Sequence, residues 1–177
     1  MEKSYKEYLT HITTFVFDVD GVLTDGTITV TTDGEMLRTM NIKDGYALKT
    51  AVDRGYNVCI ISGGSNEGVR LRFHGLGIKN IYLGAHHKTE TLNNYLETKA
   101  LKRENILFMG DDIPDLAVMQ EIGLPCCPQD AVPEIKEVAK YVSHKKGGKG
   151  AVRDVIEQVL KVQGKWISNG DTSAKYD

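Results

Sequence analysis

The sequence predicts an α/β domain of three layers: a parallel sheet with helices on both faces, a small β-hairpin inserted after the first strand, and no separate cap domain. Three observations carry this reading. Short apolar runs alternate with longer amphipathic stretches, the pattern of a sheet whose strands are joined by helical crossovers. The runs are continuously apolar rather than alternating, as strands buried on both faces are. The chain has 177 residues, 41% hydrophobic and 26% charged, enough for one domain with a real core and too few for two comfortable ones.

The strand candidates, in order, are ITTFVF before Asp18, NVCII before Ser62, NIYL, NILFM before Gly110, GLPCC and KYV. Helices are expected to start near Asp44, Asn66, Lys88, Pro114, Pro133 and Gly150. One segment breaks the alternation. Residues 25–41 carry alternating Thr, Ile and Val around an Asp33-Gly34 pair, which reads as a projecting hairpin. The domain is expected to span residues 1–163, and the polar stretch 164–177 reads as a mobile or partner-bound tail. The segment GGKGAVR, with Gly147 and Gly148, could be only a flexible link into the last helix.

Composition narrows the function classes. A formal net charge of -2 gives no reason to expect nucleic acid or an anionic membrane as partner. No apolar run approaches the roughly 20 residues of a membrane span, and the polar N-terminus lacks the apolar core of a signal peptide, so a cytoplasmic location is expected. Cys59, Cys126 and Cys127 match neither a disulfide framework nor a zinc spacing and read as small core residues.

Open parallel sheets bind ligands beyond the carboxyl ends of their strands, and four segments place reactive residues there. In FVFDVDGVLTDG, Asp18 and Asp20 follow the first strand; one carboxylate could attack phosphorus while the other serves as acid and base. A calcium loop also opens with D-x-D-G, but it needs a preceding helix and a Glu at its twelfth position, which here is Thr29. In CIISGGSNEG, the Ser62 hydroxyl and the N–H groups around Gly63 could bind phosphate oxygens, although a Ser-Gly-Gly turn is also common without a ligand. Lys88 stands at a helix start, where a cation is unfavourable with respect to the dipole unless it neutralises an anion. In NILFMGDDIPDLAVM, Asp111, Asp112 and Asp115 crowd a strand end and call for a hard cation such as Mg²⁺, with helix capping by Asp112 as the plainer alternative. His86 and His87 lack partners at metal-ligand spacing and read as loop residues.

DVDGVLTDG, ISGG, Lys88 and GDDIPD resemble, in order, the four motifs of the haloacid dehalogenase superfamily of phosphatases. The resemblance implies a Rossmann-like sheet and a phosphoric monoester hydrolase that works through an aspartyl phosphate. It implies Asp18 as nucleophile, Asp20 as general acid and base, Ser62 and Lys88 on the phosphate, and Mg²⁺ held by the side chains of Asp18 and Asp111 and the backbone carbonyl of Asp20. From about Ile12 to Lys165 the chain is more closely similar to the 3-deoxy-D-manno-octulosonate 8-phosphate phosphatases, through GEMLRTMNIKDGYALK and HKKGGKGAVRDVIEQVLKVQGK. That likeness implies substrate contacts from Asp20, Asn41, Ile42, Lys43, Asp44, Gly45, Lys49, Gly64, Arg72 and Lys88, and a role in supplying a lipopolysaccharide core sugar. Gly64 and Lys49 stand where many or several relatives carry Arg. The likeness also implies a homotetramer with active sites at subunit interfaces and the tail reaching a neighbour. NIKDG could equally be a plain connection in which Asp44 caps a helix. Two other readings stay open: a phosphatase for a nine-carbon ulosonic acid 9-phosphate, sharing every catalytic residue, and a phospho-accepting receiver domain of signalling, which would need no acid at Asp20.

Overall fold

A computed structural model describes residues 4–167. Its centre is a six-stranded, wholly parallel sheet: β1 (Thr14–Phe17), β4 (Asn57–Ile61), β5 (Asn80–Tyr82), β6 (Ile106–Met109), β7 (Leu124–Cys127) and β8 (Tyr141–Val142), in the order β5-β4-β1-β6-β7-β8. All six expected strands are present. The short strands β2 (Thr29–Val30) and β3 (Met36–Leu37) pair only with each other, as the projecting hairpin, and no second domain forms over the sheet among the described residues.

Alternation along each strand sorts its side chains between two cores. Phe15 and Phe17, Val58 and Ile60, Leu107 and Met109 face one layer, made by α1 (Tyr5–Leu9), α2 (Ile42–Asp53), α3 (Glu67–Gly75) and α7 (Ala151–Val162). Val16, Cys59, Ile61, Ile106 and Phe108 face the other, made by α4 (Lys88–Lys99), α5 (Leu116–Glu121) and α6 (Pro133–Val138). The three cysteines are buried, unpaired thiols split between these cores. Each fully buried Phe, Ile or Leu contributes on the order of 1.5–3 kcal/mol, so the two layers are what hold the strand ends in place.

The order of strands creates the crevice. β1 lies between β4 and β6, and the chain leaves β1 first toward β4 and β5, then crosses to β6, β7 and β8. At such a switch of direction the connections diverge and leave an opening beyond the carboxyl ends. Among the described residues, no helix is long and apolar enough to cross a membrane.

Three features differ from the sequence reading. Helix α1 was not expected in the polar N-terminus; a reciprocal cap between Ser4 and Glu7 starts it, Leu9 is buried, and Tyr5 stacks on Tyr141 at 4.6 Å. The start of the segment from Gly164 is tied to the domain at Trp166. Trp166 is 6% exposed and packs edge-on to Tyr46 and against Arg153, while Gln163 donates to the carbonyls of Leu9 and Ile12 and ties α7 to the end of α1. The rest of the expected tail, 168–177, lies outside the described residues. Gly147 and Gly148, read as flexible, are buried. A Cβ on Gly147 would fall 1.8 Å from the Gly21 carbonyl oxygen, so only glycine lets this segment pack on the loop after β1.

Candidate active site

Parallel register brings the four expected segments to one edge. Asp18 follows β1, Ser62 follows β4, Lys88 opens α4 after β5, and Asp111 lies two residues beyond β6. Lys88 is the junction. Its Nζ lies 3.0 Å from Asp18 Oδ2 and donates to Asp115 Oδ1 at 2.7 Å, and all three residues are buried. Asp115 also accepts from the Asp111 N–H through its Oδ2, so both of its oxygens are occupied. Asp18 Oδ1 and Asp111 Oδ1 are buried with no hydrogen-bond partner among the described residues. Gly21, at φ +87°, makes the approach possible: a Cβ there would sit 1.9 Å from Asp111 Oδ2.

Such a cluster is short of positive charge. Burial, reinforced by Asp115 and opposed by Lys88, pushes the Asp18 carboxyl up to about 6. Burial, then Asp18, Asp115 and Asp112, push Asp111 up to about 7. Burial works against the Lys88 ammonium, yet Asp18 and Asp115 hold its pKa above the usual range. One lysine therefore does not satisfy three carboxylates, and a further cation would. Carboxylate oxygens of Asp18, Asp111 and Asp115 lie within 4.8 Å of one another, and the two unpartnered oxygens belong to Asp18 and Asp111. Hard, charged oxygen donors in that arrangement fit Mg²⁺. Asp20 adds no carboxylate to this triad.

The cavity over the cluster, about 290 Å³, is lined by Asp18, Asp20, Ser62, Gly63, Gly64 and Lys88 on one side and by Asp111, Asp112 and Pro114 on the other. Asp112 is exposed and caps the turn that follows, accepting from Ile113 N. Residues 78–156 match a family model described as haloacid dehalogenase-like hydrolase. The chain is 39% identical over 155 residues to the 3-deoxy-D-manno-octulosonate 8-phosphate phosphatase KdsC of Salmonella typhi, covering 88% of this chain and 82% of the relative. This chain belongs to that family of haloacid dehalogenase-like hydrolases. The structure of the same-named phosphatase from Yersinia pestis superposes with a TM-score of 0.90 at 33% identity, covering 94% of this chain and 90% of that one. The Moraxella catarrhalis phosphatase, solved in complex with magnesium, phosphate and KDO, superposes with a TM-score of 0.88 at 31% identity, covering 92% of this chain and 93% of that one. The chain is thus an enzyme, a phosphoric monoester hydrolase, and the receiver reading falls with this.

The family's expected substrate contacts do not gather in one place. Gly64 lines the cavity of the aspartates. Arg72 lines a neighbouring groove of about 570 Å³ with hairpin residues Leu37, Arg38 and Met40, and its guanidinium crosses Gly45, where a Cβ would come within 2.6 Å of Nη2. Asn41 and Lys43 line a third cavity, about 740 Å³, against α7 with Lys149 and Arg153. Lys49 pairs with Asp53 at 2.5 Å on the outer face of α2, and Ile42 is exposed. Asp44 lines none of these cavities. It is buried beneath the start of α7 and accepts from the N–H groups of Gly150 and Arg153, so the capping alternative describes its side chain, although the helix it caps is α7 rather than its own. Asn41 caps α2, accepting from Lys43 N. The sequence reading missed Arg38, which meets Asp20 from the hairpin. Nothing in a Leu-Arg-Thr stretch marks it, because the contact depends on where the hairpin folds back.

Proposed function

We propose that this enzyme hydrolyses 3-deoxy-D-manno-octulosonate 8-phosphate to the free sugar acid and phosphate, through a phosphoryl group carried on Asp18. The observation that carries the reading is Lys88 between Asp18 and Asp115, which sets a shielded carboxylate beside a fixed cation where a phosphate would lie. In this reading Asp18 attacks phosphorus in line, and Lys88 with the Ser62 hydroxyl and the Gly63 N–H holds the phosphate oxygens. Asp20, at the mouth and partly exposed, gives a proton to the departing sugar oxygen and then takes one from the water that releases phosphate. Asp18, Asp111 and the Asp20 carbonyl would hold Mg²⁺, which supplies charge neutralisation of the phosphate when bound. Asp115 orients Lys88 and the Asp111 backbone rather than reacting.

The cavity of about 290 Å³ leaves most of an eight-carbon acid in the hairpin groove, where Arg72 supports recognition of the distant carboxylate. Asn41 and Lys43 face elsewhere in their own chain, so any contact they make to substrate is one to a neighbour's. The hairpin supports the same view: Ile28, Val30, Met36 and Leu37 are 46–63% exposed, an apolar surface that a monomer leaves wet. We read the protein as a homotetramer joined through these hairpins, in the supply of the lipopolysaccharide core sugar. Light scattering that returns a monomer at working concentration refutes the assembly. The substrate test is kcat/KM for the eight-carbon acid phosphate, its nine-carbon analogue and a hexose phosphate. The eight-carbon acid is expected to lead. A tenfold lead for the nine-carbon acid, about 1.4 kcal/mol of transition-state preference, would transfer the assignment to that substrate, and a flat profile would make the enzyme a general phosphatase.

A further inference from the structure

Asp20, on the rim of the cavity, is gripped from the hairpin. Its two oxygens accept from Nε and Nη2 of Arg38 at 2.7 and 3.0 Å. Arg38 stands just past β3 in the hairpin, its Nη1 donates to the Met36 carbonyl at 3.1 Å, and its side chain is only 11% exposed against 37% for Asp20. The two-pronged contact fixes the plane of the carboxylate, which a single N–H or an ammonium could not do. Gly64 closes over the pair: a Cβ there would lie 3.1 Å from Arg38 Nη2 and 3.3 Å from Asp20 Oδ2. The contact is therefore built from three separate segments, and both Asp20 oxygens are held as acceptors.

We infer that Arg38 is a positioning residue that sets the Asp20 carboxylate to take the proton of the hydrolytic water; this rests on the roles proposed above for Asp18 and Asp20. In that step the water oxygen bonds to phosphorus while the bond from phosphorus to the Asp18 oxygen breaks. Its electron pair returns to the Asp18 carboxylate, and the water's proton passes to Asp20. The earlier step makes a different demand. With p-nitrophenyl phosphate the leaving nitrophenolate departs without a proton, so formation of the aspartyl phosphate does not draw on Asp20.

The two steps can be read apart. For Arg38→Met with p-nitrophenyl phosphate and Mg²⁺, kcat is expected to fall about tenfold or more while kcat/KM stays within about threefold, because kcat/KM reports only steps up to loss of nitrophenolate. Stopped-flow traces should then show a burst of nitrophenolate approaching one equivalent per subunit. Arg38→Lys, which keeps charge but not the fork, should fall between the two. A parallel fall of kcat and kcat/KM with no burst, in a variant whose circular dichroism matches the parent, overturns the inference, since a merely structural or substrate-binding residue behaves that way. Asp20→Asn separates the two levels of the argument. A burst there with none in Arg38→Met removes Arg38 alone, whereas no burst in Asp20→Asn removes the role of Asp20 itself.

Discussion

Asp18, Lys88 and Asp115 are each less than a tenth exposed and are joined through the Lys88 ammonium, whereas Lys43, Lys49 and Arg72 lie on three different surfaces of the same molecule. The first set grows from strand ends clamped between two buried layers. The second grows from α2 and α3, with long side chains that reach toward solvent or toward other elements. The difference teaches where chemistry and selection reside. In the reading proposed above, positions that act on phosphorus are fixed by one chain's core, and positions that sort substrates depend on the hairpin and on a second subunit.

The largest effect should come from breaking the fixed set at its centre. Asp18→Asn should lower phosphate release on the order of 10⁴-fold or more, since an amide cannot attack phosphorus. The fold should survive, because the change removes a charge that is costly to bury. Substantial turnover by this variant would remove Asp18 as nucleophile. Next in size, exhaustive chelation and Asp111→Ala should each cost about a hundredfold or more. Added Mg²⁺ should restore the chelated parent and raise its thermal midpoint, but should do neither for Asp111→Ala. Equal stabilisation of both proteins would place the ion elsewhere.

The dispersed set should answer more weakly and only with the right substrate. Arg72→Met should lower kcat/KM for the sugar-acid phosphate about tenfold, about 1.4 kcal/mol, and leave a hexose phosphate unchanged. Lys49→Met should cost less than about threefold, because Asp53 already engages the ammonium on an exposed helix face. A larger loss at Lys49 than at Arg72 would reverse this ranking.

The same contrast decides what the sequence made legible. Lys88 was readable because a cation at a helix start calls for an anion, and Asp18, Asp20, Ser62 and Asp111 because a buried parallel strand leaves a continuous apolar run whose carboxyl end opens on the crevice. The six strands were readable for the same reason. The bonds of Asp44 to α7 were not legible because its motif says nothing of side-chain direction: it sits at a helix start in sequence but serves the start of α7, more than a hundred residues on. Arg38 was invisible because its partner lies across a hairpin. Trp166 looked like part of a polar tail because its neighbours are polar, yet Tyr46 and Arg153 receive it. Contacts set by the tertiary path of the chain leave no local periodicity to read.

The finest comparison is between buried carboxylates inside and outside the acidic cluster, and stability against pH resolves it. Asp18 at about 6 and Asp111 at about 7 lie above the roughly 3.9 of an unfolded Asp, and so does Asp44 at about 6, raised by burial despite its bonds to Arg153 and Gly150. Between about pH 4 and these values the native state retains protons that the unfolded chain has released. Stability must therefore fall as pH rises through that window and level off above it. Glu157, where burial is outweighed by Lys161 and Arg153, is shifted down and acts with the opposite sign only at lower pH. Metal-free protein should thus lose thermal midpoint from about pH 4.5 to 7, by about 2–4 °C for each kcal/mol. Mg²⁺ should cancel the share of Asp18 and Asp111, which in the reading proposed above would hold it as carboxylates, and leave the share of Asp44. In Mg²⁺, Asp44→Asn should then flatten what slope remains. A metal-free midpoint that is level or rising across the window would mean that the cluster carries its negative charge without a cation, and the fixed and dispersed regions would no longer differ in the way proposed.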